Sequence, residues 1–266
     1  MPQTVSLSFF RFAGVGPKAW AFAMMGVSRL LLPRVPDVGF WKLCGSGTGE
    51  GFTPVPNTAV YAILCTWPDA DTAKERVEEE TFFARYRRHA LESWTVYLTP
   101  TQARGNWSGK QPFEPTNHPP LDDPPYDDPP RGSGGSDGEG GPEGPGPGGG
   151  RPLAALTRAT LKPRNALKFW KQVPDISERI GLDQNVAFKI GIGEVPWMQQ
   201  VTFSIWPSPE AMADFARKDG PHARAIRAVR DGGWFREELY ARFAVTGEHG
   251  AWEGRSPLDK FKDRAP

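Results

Sequence analysis

The sequence predicts an α+β protein of two tandem ferredoxin-like repeats packed together. Three observations predict it. The stretch from Val186 to Val245 reads as strand, strand, helix, strand; the first part of the chain carries a similar order of elements; and a Pro/Gly-rich segment lies where the two copies meet. The copies share sequence as well as pattern. FWKLCGSGTGEG (40–51) is similar to FKIGIGEVP (188–196), and GNWSGKQPF (105–113) matches GAWEGRSPL (250–258) in its glycines, tryptophan and proline. Trp67-Pro68-Asp69 ends one strand and starts a helix, as Trp206-Pro207-Ser208 does.

In chain order, Val5 to Phe12 is the first strand and Lys18 to Leu32 the first helix. Trp20, Met24, Val27 and Leu31 form the helix stripe, and Phe22, Met25 and Leu30 widen it almost all the way round. A helix that apolar is either fully buried or lies against an apolar surface such as a membrane. Arg29 interrupts the segment and Pro33 ends it, so it is too short to span a bilayer, which takes ~20 apolar residues. The loop from Gly45 to Asn57 is glycine-rich, but Pro54 and Pro56 fall where a helix would have to begin, so it is no dinucleotide fingerprint. Val60 to Cys65 is the next strand, and FFARYRRHALESW carries His89 on a charged helix.

From Gln111 to Pro152 the composition cannot bury enough apolar surface to offset its ordering entropy, which predicts a disordered tether. Leu156 to Leu161 opens the second copy, with Trp170 in its helix. Val186, Phe188, Ile190 and Ile192 alternate with Ala187, Lys189, Gly191 and Gly193, giving an apolar face and a nearly bare one. Val201, Phe203 and Ile205 alternate with polar neighbours, and Ser208 is placed to cap a helix starting at Pro209. Gly220-Pro221 restarts the helix, with His222, Ala225, Ile226 and Val229 on one face, and Leu239 to Val245 is the last strand. The domain division is therefore 1–110, a linker at 111–152, a second repeat at 153–258 and a fraying tail at 259–266.

A formal net charge of +1 gives no case for a nucleic-acid partner. The two cysteines, Cys44 and Cys65, read as isolated buried thiols in a reducing compartment, with a single disulfide between them as the alternative. With no secretory signal pattern, the expected location is cytoplasmic or peripheral on a membrane.

The runs GFWKLCGSGTGEGFTP (39–54), ESWTVYLTPTQARGNWSGKQPF (92–113), FKIGIGEVPWMQQVTFSIWP (188–207) and DGPHARAIRAVRDGGWFREELYARFAV (219–245) resemble the spheroidene monooxygenase family of acyclic-carotenoid 2-ketolases. The resemblance implies a haem-containing monooxygenase that uses O₂ and electrons from reduced ferredoxin. It implies oxidation of C-2 of spheroidene to the 2-ketone through a hydroxylated intermediate. It also implies distant kinship with the dimeric α/β-barrel group, several of whose members bind haem through a histidine.

Hydroxylating an unactivated carbon needs O₂ activated on a metal or an organic redox cofactor. A haem needs one axial side chain and an apolar slot. The glycine-bare strand faces (Gly191 and Gly193; Gly45 and Gly47) are where such a slot would open, unless those glycines serve a bulge or tight turn. Among four histidines, His222 is the first candidate for the metal, at the start of a helix whose dipole favours neutral imidazole. Without the family resemblance it reads as a core histidine. His89, crowded by Arg85 and Arg88, is the second choice; Cys44 and Cys65 stand as thiolate alternatives; His118 lies in the linker, and His249 beyond the last strand reads as exposed. Lys189 and Lys42 read as matching positions on the glycine face, able to meet haem propionates, or as solvated lysines. Arg85, Arg87 and Arg88 with Arg224, Arg227 and Arg230 form either a basic docking surface for an acidic ferredoxin or a solvated face. A haem carrier without turnover and a cofactor-free monooxygenase stand as alternative functions, and a homodimer is open.

Overall fold

The computed structural model describes residues 1–48, 51, 53, 55–116, 152–166, 169–170, 186–212 and 233–262. Eight strands, β1 (Thr4–Arg11), β2 (Trp41–Gly47), β3 (Pro56–Trp67), β4 (Glu92–Gly105), β5 (Leu153–Leu161), β6 (Phe188–Gly193), β7 (Gln199–Trp206) and β8 (Phe235–Gly250), close into one barrel. Every neighbouring pair is antiparallel, in the order β1-β3-β2-β6-β7-β5-β8-β4. The first half runs β4-β1-β3-β2 and the second β8-β5-β7-β6, the same order in each. The halves join along a long seam, where Trp94 to Gly105 of β4 pairs with Gly250 to Leu239 of β8. The second seam is short, with Gly45 opposite Gly193 and Ser46 opposite Ile192.

Alternation along each strand decides what lies inside. Val5, Leu7, Phe9, Val60, Ala62, Leu64, Phe188, Ile190, Ile192, Val201, Phe203, Ile205, Leu239, Ala241 and Phe243 all belong to one buried core within the barrel. Its centre is aromatic: Phe9 lies 5.7 Å from Trp94 and 5.1 Å from Phe188, ring centroid to ring centroid. The barrel interior is thus filled by side chains.

Three helices, α1 (Val15–Leu31), α2 (Ala70–Glu79) and α3 (Thr81–His89), lie on the outer face of the first half. Asp69 caps α2 by accepting from the Thr72 N–H at 2.8 Å. Phe10, Tyr61, Ile63, Cys65 and Trp67 from the strands meet Met24, Ala73, Val77, Phe83 and Tyr86 from the helices. A hydrogen bond of 2.7 Å between Ser28 and Tyr86 ties α1 to α3. The first helix is not buried all round. Ala21, Met24 and Ser28 face the sheet, whereas Phe22 is 71% exposed and Leu30 70%. Val27, expected in the inward stripe, faces outward instead.

The barrel is completed by two exchanged loops. After β4, the Trp107–Lys110 loop crosses to the second half, where the N–H groups of Ser108 and Gly109 donate to Glu237 of β8. Glu237 also pairs with Arg158 of β5, which is 1% exposed and lies over the Trp107 ring. After β8, the Trp252–Arg255 loop crosses to the first half, and the N–H groups of Glu253 and Gly254 donate to Glu92 of β4. Glu92 pairs with Arg11 of β1, whose guanidinium lies 4.5 Å from the Trp252 ring centre.

Two expected boundaries move. Residues 111–116, read as the start of the linker, pack on the barrel: Phe113 is buried against Phe243, and Gln3 bonds to both Pro112 and Glu114. The tail does not fray after Leu258, because α4 (Asp259–Lys262) sets Phe261 against the core and Lys260 donates to the Val186 carbonyl. Both errors come from short polar stretches whose single aromatic was too weak a signal. Cys44 and Cys65 are free and buried, as the sequence suggested.

Burial alone would raise the Glu237 carboxyl, but the Gly109 N–H, the Arg158 guanidinium and the Ser108 N–H outweigh it and hold it below its ordinary value. Its contribution to stability is therefore complete at neutral pH and is lost as the pH falls through that lowered value. Glu237→Gln leaves Arg158 buried without its counter-charge and is expected to cost about 3 kcal/mol in denaturant unfolding at neutral pH. The difference from wild type should shrink on acidification.

Candidate functional site

The two halves share a strand order but differ on their outer faces. In the first half the register places Gly45, Tyr61, Phe10 and Ser93 in one row and Leu43, Ile63, Ser8 and Thr95 in the next. In the second half the corresponding rows are Gly191, Thr202, Thr157 and Tyr240, then Lys189, Ser204, Ala155 and Arg242. Of the bulky apolar residues on which the helices of the first half pack, Phe10, Tyr61 and Ile63 have given way to threonine, threonine and serine, and Leu43 to lysine. Leu153 and Trp206 close this face at one end, and Leu161, with Ala166 and Trp170, forms a separate apolar cluster at the other. The centre of this face is thus a floor of short side chains framed by larger ones.

The glycines have a different use from the slot expected of them. A Cβ at Gly191 would sit 2.4 Å from the Gly51 carbonyl oxygen, one at Gly193 2.3 Å from that of Gln199, and one at Gly47 2.2 Å from that of Thr53. The loop between β2 and β3 lies over Gly191, so at these three positions main chain fills the space. The lysine pairing is also corrected. Lys189 shares its face with Gly191 and Ser204, on the outside, but Lys42 lies in the inward register of Cys44. There Lys42 pairs with Glu194 at 2.7 Å, and Glu194 accepts from Trp107 Nε1 at 2.6 Å.

The chain is 46% identical over 265 residues to the spheroidene monooxygenase of Cereibacter sphaeroides, covering 99% of this chain and 73% of the relative. It is 46% identical over 253 residues to that of Rhodobacter capsulatus, covering 95% and 94%. The chain belongs to the spheroidene monooxygenase family. A more distant relative, the spheroidene monooxygenase of Rubrivivax gelatinosus, is 30% identical over 88% of this chain and 81% of its own. No family model matches the chain. Among solved structures, two of aldoxime dehydratase share the fold. One has a TM-score of 0.56 at 12% identity, covering all of this chain and 88% of the other. The second, a complex with butyraldoxime, has a TM-score of 0.57 at 10% identity, covering all of this chain and 86% of the other.

The other candidate residues of this spheroidene monooxygenase family member fall as follows. His222 lies outside the described residues, as do His118, Arg224, Arg227 and Arg230. His89 stacks flat on Trp20 with ring centroids 4.0 Å apart, and its Nδ1 is 2.9 Å from the Arg85 carbonyl oxygen. Both contacts hold it at the end of α3, away from the second-half face. His249 is exposed, 3.7 Å from Glu78. Burial pushes the Cys44 and Cys65 thiols up, with Glu194 adding to the effect at Cys44; Cys44 lies in the barrel core and Cys65 beneath the helices of the first half. Arg85 and Arg88 are exposed, but Arg87 donates to the Val77 and Glu78 carbonyls at the end of α2 and leaves the basic face. Among the described residues no group of three or more His, Cys, Asp and Glu is placed to hold a metal ion. Sequence reasoning missed Ala155, Thr157, Thr202, Ser204, Tyr240 and Arg242. The signal was there in VTFSIW, whose outward positions Thr202 and Ser204 are small and polar where Tyr61 and Ile63 stand in the first half.

Gly191→Ala is expected to force the β2–β3 loop off β6 and to lower stability by about 1–3 kcal/mol, read as a fall in the melting temperature. Gly45→Ala, where nothing lies within 4 Å, is expected to change stability far less.

Proposed function

We propose that the chain is a haem-dependent monooxygenase oxidising C-2 of an acyclic carotenoid, converting spheroidene to its 2-ketone through a hydroxylated intermediate, with electrons from reduced ferredoxin. Membership of the spheroidene monooxygenase family supports the reaction and the substrate class. The observation that carries the cofactor is the asymmetry of the two outer faces. The second half offers Thr157, Thr202 and Ser204 where the first half has Phe10, Tyr61 and Ile63, with Ala155 beside them in the place of Ser8. Haem bound over this floor would supply the activation of O₂. Lys189 and Arg242, at opposite ends of one row, are the residues proposed to meet its propionates, and His222 its axial ligand. Gly191 and Gly193 border the floor and keep the β2–β3 loop and the β6–β7 turn tight against it.

We read the barrel as two ferredoxin-like repeats arisen by duplication. The common strand order, and the matching Arg11–Glu92–Trp252 and Arg158–Glu237–Trp107 sets, support this. Arg85 and Arg88 are the described part of the proposed ferredoxin-docking face. The exposed side of α1 supports peripheral contact with the membrane in which an acyclic carotenoid dissolves; among the described residues no helix is long and apolar enough to cross one.

Purified protein supplied with haem is expected to show a Soret band and, with reduced ferredoxin and O₂, to convert spheroidene. His222→Ala should lose the band or bind haem loosely, and His89→Ala should keep it, with circular dichroism confirming that both are folded. Full haem content and an unaltered spectrum in folded His222→Ala would remove His222 as the ligand.

A further inference from the structure

An open cleft of about 500 Å³ lies between the C-terminal end of α1, the start of β2 and the turn joining β6 to β7. Arg29, Lys42, Lys110 and Glu194 are the charged residues lining it. Lys42 is neutralised by Glu194. Arg29 and Lys110 have no acidic partner among the described residues, so the cleft is cationic. Val195, 45% exposed, lines the cleft, and on α1 the exposed Leu30 follows Arg29 directly, with the exposed Phe22 two turns earlier on the same helix.

From this we infer that the cleft binds the headgroup of an anionic phospholipid, making this face of the protein selective for negatively charged membrane. The inference rests on the peripheral-membrane reading above and adds the lipid class. A phosphodiester placed in the cleft meets the planar fork of Arg29, suited to bidentate contact with phosphate, and the point charge of Lys110. Leu30 and Phe22, exposed on the helix that carries Arg29, then enter the boundary between headgroups and acyl chains. Arg29 and Lys110 are both exposed and make no packing contact that a glutamine would lose, so the charge is separable from the fold.

The test is co-sedimentation with vesicles of phosphatidylcholine alone or mixed with phosphatidylglycerol. Wild type should bind both, and the mixed vesicles about thirtyfold more tightly, the worth of two basic residues near an anionic surface. That gain should vanish at about 1 M salt, where the screening length is ~3 Å. The Arg29→Gln/Lys110→Gln variant should bind both vesicles alike, at the wild-type strength for phosphatidylcholine; Phe22→Glu/Leu30→Glu should weaken both. Equal wild-type binding to the two vesicles, or a preference that survives in Arg29→Gln/Lys110→Gln, overturns lipid selectivity and leaves peripheral binding standing. Wild type that binds neither vesicle overturns both readings. If it is then a dimer that Phe22→Glu/Leu30→Glu dissociates, the face is an interface between copies.

Discussion

The structure depends on the exchange of two tryptophan loops between its halves. A four-stranded sheet has two open edges and one face too many, and pairing edge to edge with a second sheet removes both problems at once. Here the closure is reinforced by charge. Arg158 would be untenable inside the barrel without Glu237, and Glu237 is oriented by the N–H groups of a loop that belongs to the other half. The same arrangement recurs with Arg11, Glu92 and the loop at Trp252. In each half an arginine–glutamate pair takes its remaining donors from the other half's loop, so the two halves are tied by charge as well as by the barrel's hydrogen bonds.

Much of this was legible in the sequence because it rests on short-range patterns. The alternation in Val5 to Phe9 and in Val201 to Ile205 fixes which residues line the barrel, and the Trp-Pro-Asp and Trp-Pro-Ser signals mark where strands give way to helices. The correspondence of GNWSGK with GAWEGR, read from glycines and a tryptophan, turns out to mark the exchanged loops. What the sequence concealed is long-range. Nothing local says that Gly51 lies over Gly191, or that Lys42 faces inward while Lys189 faces out. The one-residue difference in parity is invisible until the β2 and β6 registers are known.

The outer faces of the two halves differ in the same residue-by-residue way. With Phe10, Tyr61 and Ile63 outward, the first-half sheet binds its helices by apolar packing and has no room for a ligand. With Thr157, Thr202, Ser204 and Ala155 outward, the second-half sheet gains little from packing a helix directly, and its contribution to the molecule is a floor. Family membership supplies the chemistry expected of the chain, and this asymmetry is the observation on which the proposed haem site rests.

The account's central claim is that haem lies on the second-half floor, and filling that floor tests it most directly. Ala155 stands between Ser204 and Arg242 with its side chain outward, away from the barrel core. Ala155→Phe protein, shown by circular dichroism to be folded, is titrated with haem and its Soret absorbance recorded. The account predicts that the Soret band is lost or that far more haem is needed to reach it. A folded Ala155→Phe protein that binds haem like wild type, with the same spectrum, would contradict it.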